Sequence, residues 1–285
     1  MSFLTFALLY IAYSMTDTLL KYNLGNNVTA FSTTRISPLP LSAEEVKAMG
    51  NYAAFNVTYY CGDNAERVAK NKAWLCNELG VNENGLWLPR QTHTANVLEI
   101  DAAFLDKDVE EQTQCLQEID ALITSLPHQC ISVSTADCVP ILLYDEKHHA
   151  IAAIHAGWRG TVQRISQVCL DKMAHTFGTV ASDCKTLIGP SISLDAFEVG
   201  EEVVAEFLKA NFPESVISHN YANKPHIDLW AANVFLLEEA GVELSNIQIS
   251  GICTFQHHDT FFSARRLGIH SGRILTGICL NNYKV

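Results

Sequence analysis

Residues 136–161, ADCVPILLYDEKHHAIAAIHAGWRGT, combine two apolar runs with a few reactive side chains. Positions 139–143 and 150–154 are apolar and of strand length, and Asp145, Glu146, Lys147, His148 and His149 separate them. This pattern predicts two buried strands joined by a short exposed turn. If they pair antiparallel, the start of the first lies beside the end of the second, which brings Cys138 and His155 together. After His155 come Gly157, Trp158, Arg159 and Gly160, then apolar residues at helical spacing (Val162, Ile165, Val168, Cys169, Met173, Phe177) as far as Gly178. The loop therefore feeds a helix start. Free N–H groups, the positive end of the helix dipole and the Arg159 guanidinium suit an anionic or phosphate-bearing ligand there.

The 285 residues, 48% of them hydrophobic, are ample for a sizeable core. No linker or low-complexity tract divides the chain, so residues 15–285 read as a single catalytic domain. The net charge of −12 argues against a nucleic-acid or anionic-membrane partner, because both usually require a basic face. The nine cysteines are odd in number and form no CxxC pair. Reduced thiols in a cytoplasmic protein fit that usage better than a disulfide framework. Residues 3–13, FLTFALLYIAY, are apolar but shorter than the roughly 18 residues of a membrane span, and no Lys or Arg precedes them. Segment 1–14 is thus a doubtful N-terminal extension, and an ordinary start at Met15 is the simpler reading.

Further strands are expected at 26–35, 52–60, 120–124, 130–134, 185–188 and 247–252, and a strand, turn and strand over 86–100 that carries Gln91 and His93 in its turn. The stretch ISPLPLSAEE at 36–45 reads as a loop. Asp63 and Glu66 resemble a capping box opening a helix that Gly80 closes, and Asp228 caps a helix running to Ala240. A helix through Val203, Val204, Phe207 and Leu208 follows the GPSI turn, after Phe197 and Glu198. Arg265, Arg266 and Arg273 stand near the C-terminus.

His93, Cys138 and His155 lack the local spacing of a zinc finger, but all three fall at the ends of expected strands. Two imidazoles and a thiolate are a set that holds Zn2+ tetrahedrally with a fourth position open to water. Asp137, beside the thiolate, is a candidate base, and Arg159 would neutralise an anion nearby. The same residues admit other readings. A metal-free Cys–His dyad leaves the second imidazole without a role. Copper is the alternative metal, but Cu2+ centres of this ligand set usually add an axial Met, and none of the four methionines lies in these motifs. A structural zinc with a partner-binding surface would require a fourth protein ligand.

The motifs TTR (33–35), RQTH (90–93), DALIT (120–124), TADCVPILLYD, AAIHAGWRGT, GPSI with FEVG, and ICT with FFSARR together resemble the bacterial YfiH-type family. That family was long described as multicopper polyphenol oxidases or laccases and is now regarded as purine nucleoside phosphorylases with adenosine deaminase activity. The resemblance runs from about Val28 to the C-terminus. It implies an α+β fold in which mixed β-sheets pack together with helices on the outside. It also implies zinc on His93, Cys138 and His155, and a purine nucleoside and phosphate as small-molecule substrates. Asp137, Cys138 and Arg159 are then the catalytic candidates, and Arg35, Gln91, Phe262 and Arg265 the substrate-binding ones. Where the family has a Gly pair after TTR and a Gly after the Gln-x-His motif, this chain has Ile36-Ser37 and Thr94. A copper-dependent polyphenol oxidase and a cell-wall precursor amidase are the alternative activities.

Overall fold

The computed structural model describes residues 17–221 and 224–281; the apolar segment 1–14 lies outside them. Thirteen strands are formed among the described residues. In chain order they are β1 (Leu19–Tyr22), β2 (Val28–Thr33), β3 (Leu86–Trp87), β4 (Val97–Glu99), β5 (Ala121–Thr124) and β6 (Cys130–Thr135). Next come β7 (Val139–Asp145), β8 (Ala150–Ala156), β9 (Cys184–Ile188) and the short pair β10 (Ile217–Ser218) and β11 (His226–Ile227). The last are β12 (Ile247–Ile249) and β13 (Ile274–Leu280). The α-helices are α1 (Ala43–Met49), α2 (Ala65–Leu79), α3 (Ala102–Leu105), α4 (Val109–Cys115) and α5 (Trp158–Val162). They continue with α6 (Ile165–Phe177), α7 (Glu201–Lys209), α8 (Leu229–Glu239) and α9 (Ala264–Leu267).

Two large mixed sheets result, one ordered β1-β2-β13-β6-β3 and one ordered β12-β9-β7-β8-β5-β4. Parallel pairs (β3 with β6, β4 with β5, β12 with β9) sit at the margins, and the central pairs are antiparallel. The period-two alternation of strands decides the layering. Ile141, Leu143, Ala152 and Ile154 pack with helix residues such as Cys169, Met173 and Leu236. Their alternates Leu142, Tyr144, Ile151 and Ala153 meet Ile131, Val133, Ile274 and Ile278 of the other sheet. The far face of the five-stranded sheet is covered by Leu75 and Cys76 of α2 against Phe31 and Phe55. The fold is therefore α+β, with sheet on sheet at the centre and helices outside. Burying each large aliphatic side chain in these layers contributes about 1.5–3 kcal/mol.

Several local expectations change. Segment 36–45 is not all loop, since Ser42 and Glu45 form a reciprocal capping box that starts α1. The N-cap of α2 is Asn64, whose side chain accepts from the Arg67 N–H, so Asp63 and Glu66 do not form the expected box. Gly80 closes that helix in the left-handed region, as expected. Residues 52–60 form no strand. Phe55 and Val57 are buried, but the Ala54 and Phe55 N–H groups donate to one carbonyl, that of Arg35, so the segment follows the sheet without joining its ladder. The apolar pattern of 162–177 is interrupted because Arg164 takes a left-handed conformation (φ 63°), which separates α5 from α6. The two halves of 86–100 join different sheets, so the intervening turn crosses from one sheet to the other.

Candidate functional site

The antiparallel register of β7 and β8 pairs Val139 with Ala156 and Pro140 with His155. Cys138 precedes Val139, so its thiol stands beside His155 at the end of the two central strands, as the sequence implied. The loop between β3 and β4 brings His93 to the same place. Cys138 Sγ lies 3.8 Å from His93 Nε2, and the two imidazole rings meet edge to face with centroids 4.9 Å apart. The ligand atoms of His93, Cys138 and His155 all lie within 4.8 Å of one another. Tetrahedral bonds of about 2.0 Å to nitrogen and 2.3 Å to sulfur place such atoms about 3.5 Å apart, so the trio fits one metal ion with little movement. Among the described residues no fourth His, Cys, Asp or Glu joins the group, which leaves a position open.

The electrostatics favour a thiolate on Cys138 and a proton on His155, which a metal would have to displace. Burial alone would raise the Cys138 thiol, but the charge and hydrogen bond of His155, with a smaller contribution from His93, bring it down to about 6. Burial likewise opposes a charge on His155, yet the Cys138 thiolate and the Asp120 carboxylate raise it to about 9. A thiolate is the form that binds metal.

Asp120 is the residue that the sequence reading passed over, as the first letter of the DALIT strand. Its Oδ1 is 2.7 Å from His155 Nδ1 and accepts the His93 N–H at 3.0 Å. Its Oδ2 accepts the Thr92 and Thr94 N–H groups and the Thr94 hydroxyl. Burial raises its carboxyl, but the His155 and Thr94 hydrogen bonds outweigh this and hold it at about 2. An aspartate at the mouth of a strand between two histidine motifs is the signal that was available.

The other candidates fall into place around this core. Asp137, at φ 86°, accepts from the Thr254 hydroxyl at 2.7 Å and from the Arg265 N–H at 2.7 Å. Arg265 also donates to the Glu198 carbonyl at 3.1 Å and lies over the Phe197 ring, so the FEVG and FFSARR motifs converge beside Asp137. Arg159 stacks on Trp158, 4.2 Å from the ring centroid, in the first turn of α5. Gln91 has its amide engaged with both backbone groups of Ser134, at 2.7 and 2.9 Å, which continues the end of β6. Phe262 is fully buried beneath Arg35, whose guanidinium donates to the carbonyls of Ala53 and His258. Gln91, Phe262 and Arg35, three of the candidate substrate-binding residues, thus each have protein partners in this structure.

The fold and site define an α+β protein of two packed mixed sheets with a His-Cys-His cluster at the strand ends that could hold a metal ion. Residues 43–281 match the model of the family described as multi-copper polyphenol oxidoreductase laccase, and the chain belongs to that family. It is 47% identical over 258 residues to a purine nucleoside phosphorylase of Bacteroides thetaiotaomicron, covering 90% of this chain and 93% of the relative. It is 45% identical over 253 residues to adenosine deaminase RL5 of an unknown prokaryotic organism, covering 88% and 93%. Among solved structures, YlmD from Geobacillus stearothermophilus superposes with a TM-score of 0.80 at 25% identity, over 90% of this chain and 93% of that one. The hypothetical protein YfiH of Bacillus licheniformis shares the fold, with a TM-score of 0.82 at 24% identity over 93% and 97% of the two chains.

Proposed function

We propose that this protein is a zinc-dependent purine nucleoside enzyme that phosphorolyses adenosine, inosine or methylthioadenosine and deaminates adenosine. The observation that carries this reading is the open three-ligand cluster of His93, Cys138 and His155 in a chain so similar to enzymes bearing those names. Those three side chains would hold the ion, which when bound supplies Lewis acidity and an acidified water. The remaining roles belong to the protein. Arg159, in the first turn of α5, whose leading N–H groups have no intrahelical acceptor, is the phosphate contact. Asp137, oriented by Thr254 and the Arg265 backbone, handles the proton at the reacting centre, and Arg265 with Phe197 forms the adjoining wall for substrate. The nine free thiols suit a reducing, cytoplasmic setting, and none of the described helices is long and apolar enough to cross a membrane.

A nucleoside assay with and without phosphate tests the reading. Phosphorolysis joins a phosphate oxygen to C1′ of the ribose as the C1′–N9 bond breaks, so inosine should yield hypoxanthine and ribose 1-phosphate only when phosphate is present. Deamination adds water at C6 of the adenine as the C6–N bond breaks, releasing ammonia and giving inosine, and should proceed without phosphate. Arg159→Ala removes charge-assisted bonds of about 1.5–3 kcal/mol each, a loss of roughly ten- to a hundredfold in phosphorolysis. Deamination should fall less. Equal loss of both activities would remove Arg159 from the phosphate site. Stoichiometric copper in purified protein, with phenol oxidation that survives added zinc, would favour the oxidase activity in the family's description instead.

A further inference from the structure

We propose that Asp120 is the positioning residue that assembles the metal centre, by fixing one histidine ligand through its ring and the other through its backbone. The inference rests on the metal-binding reading above and goes beyond it, because Asp120 contributes no ligand atom. Its place follows from topology: β5 lies between β8, which carries His155, and β4, which the His93 loop enters. The two histidines are 62 residues apart in sequence, and one buried carboxylate spans them.

Two contacts on Oδ1 carry the argument. The bond at 2.7 Å to His155 Nδ1 holds the proton on that nitrogen and leaves Nε2 as the coordinating atom, facing Cys138 and His93. The bond at 3.0 Å from the His93 N–H, with those of Thr92 and Thr94 on Oδ2, pins a backbone that is left-handed at His93 (φ 66°). A non-glycine residue holds that conformation only where its surroundings enforce it. Three backbone N–H groups, the Thr94 hydroxyl and the His155 ring make five donors around one carboxylate, which offers about four lone-pair sites. Asp120 is saturated, so it has no capacity to accept a proton from substrate. Its role is geometric.

Asp120→Asn tests this, because an amide cannot satisfy both sides. If its oxygen stays on His155, the NH2 group opposes the Thr92 and Thr94 N–H groups; if it flips, the NH2 group donates to Nδ1 and moves the imidazole proton to Nε2. Zinc affinity, measured by chelator competition on the full-length protein, should weaken roughly ten- to a hundredfold in Asp120→Asn. Asp145→Asn is the control, since Asp145 is equally buried and hydrogen-bonds His148 at the opposite end of the same strands. It should bind zinc as the wild type does. A folded Asp120→Asn protein with wild-type zinc affinity would overturn the assignment while leaving the metal reading intact. Wild-type protein that binds no zinc would overturn both. Where Asp120→Asn fails to fold, nitrogen-15 spectra of zinc-loaded wild type decide: a protonated Nδ1 on His155 supports the proposal, and zinc bound through Nδ1 refutes it.

Discussion

A missing side chain matters as much at this site as the ligands present. Gly157 has φ −63°, a backbone angle that any residue adopts, so conformational freedom does not explain it. Space does. A Cβ there would lie 2.9 Å from His93 Cδ2 and 3.1 Å from Cys138 Sγ, two ligand side chains at once. Gly157→Ala should therefore keep the fold, since one methyl group at a strand end disturbs little of the core, but push the ligands apart. The expected outcome is a loss of zinc affinity and a fall in turnover of about a hundredfold, the scale for misplacing reacting groups by an ångström. Metal analysis and a thermal melt on the same sample check it, and an Ala variant that binds zinc normally would show that the ligands adjust freely. The cost of holding those ligands is visible in the backbone, where His93 and its neighbour in the site Asp137 have positive φ.

At the level of elements, the cap of α8 offers a test of charge against burial. Asp228 accepts the Ala231 N–H at 3.0 Å and starts the helix that covers α6, but its carboxyl lies above the usual carboxylate range. Burial is the main cause, with Asp195 adding to it, and the backbone hydrogen bonds at the cap only partly offset them. A carboxyl with a raised folded-state pKa costs stability once it ionises; the cost is absent below the unfolded value and complete above the folded one. Asp228→Asn keeps an equally good cap without the charge. It should melt higher than wild type at neutral pH, with the difference vanishing as pH falls below the usual carboxylate range; a lower melting temperature at neutral pH would show that the helix dipole outweighs burial. Elements of this kind were legible in sequence because caps and apolar periods are local. The pairing of β7 with β8 was legible for the same reason, given two apolar runs and one short turn. Segment 52–60 was not, since burial sets its apolar pattern while its backbone bonds go to Arg35, a distant partner. The break at Arg164 was hidden because the apolar spacing resumes in α6 after it.

Across the whole molecule, His93, Cys138 and His155 were readable as a set from their motifs, whereas Asp120 was not, because its importance depends on β5 lying between β4 and β8. Strand order is a property of the folded chain. The ligands come from separate parts of it: Cys138 from the entry to β7, His155 from β8, and His93 from the crossing between the two sheets. A metal held by all three ties the sheets together, so its binding free energy adds to the stability of the entire fold. With free zinc at about one hundred times its dissociation constant, the gain is about 2.7 kcal/mol. At about 2–4 °C per kcal/mol for a domain approaching this size, chelation should lower the wild-type melting temperature by roughly 5–10 °C. Cys138→Ala loses one of the three ligands and should melt at the same temperature with zinc or with chelator. A chelator shift as large in Cys138→Ala as in wild type would mean that zinc stabilises the protein from somewhere other than this cluster.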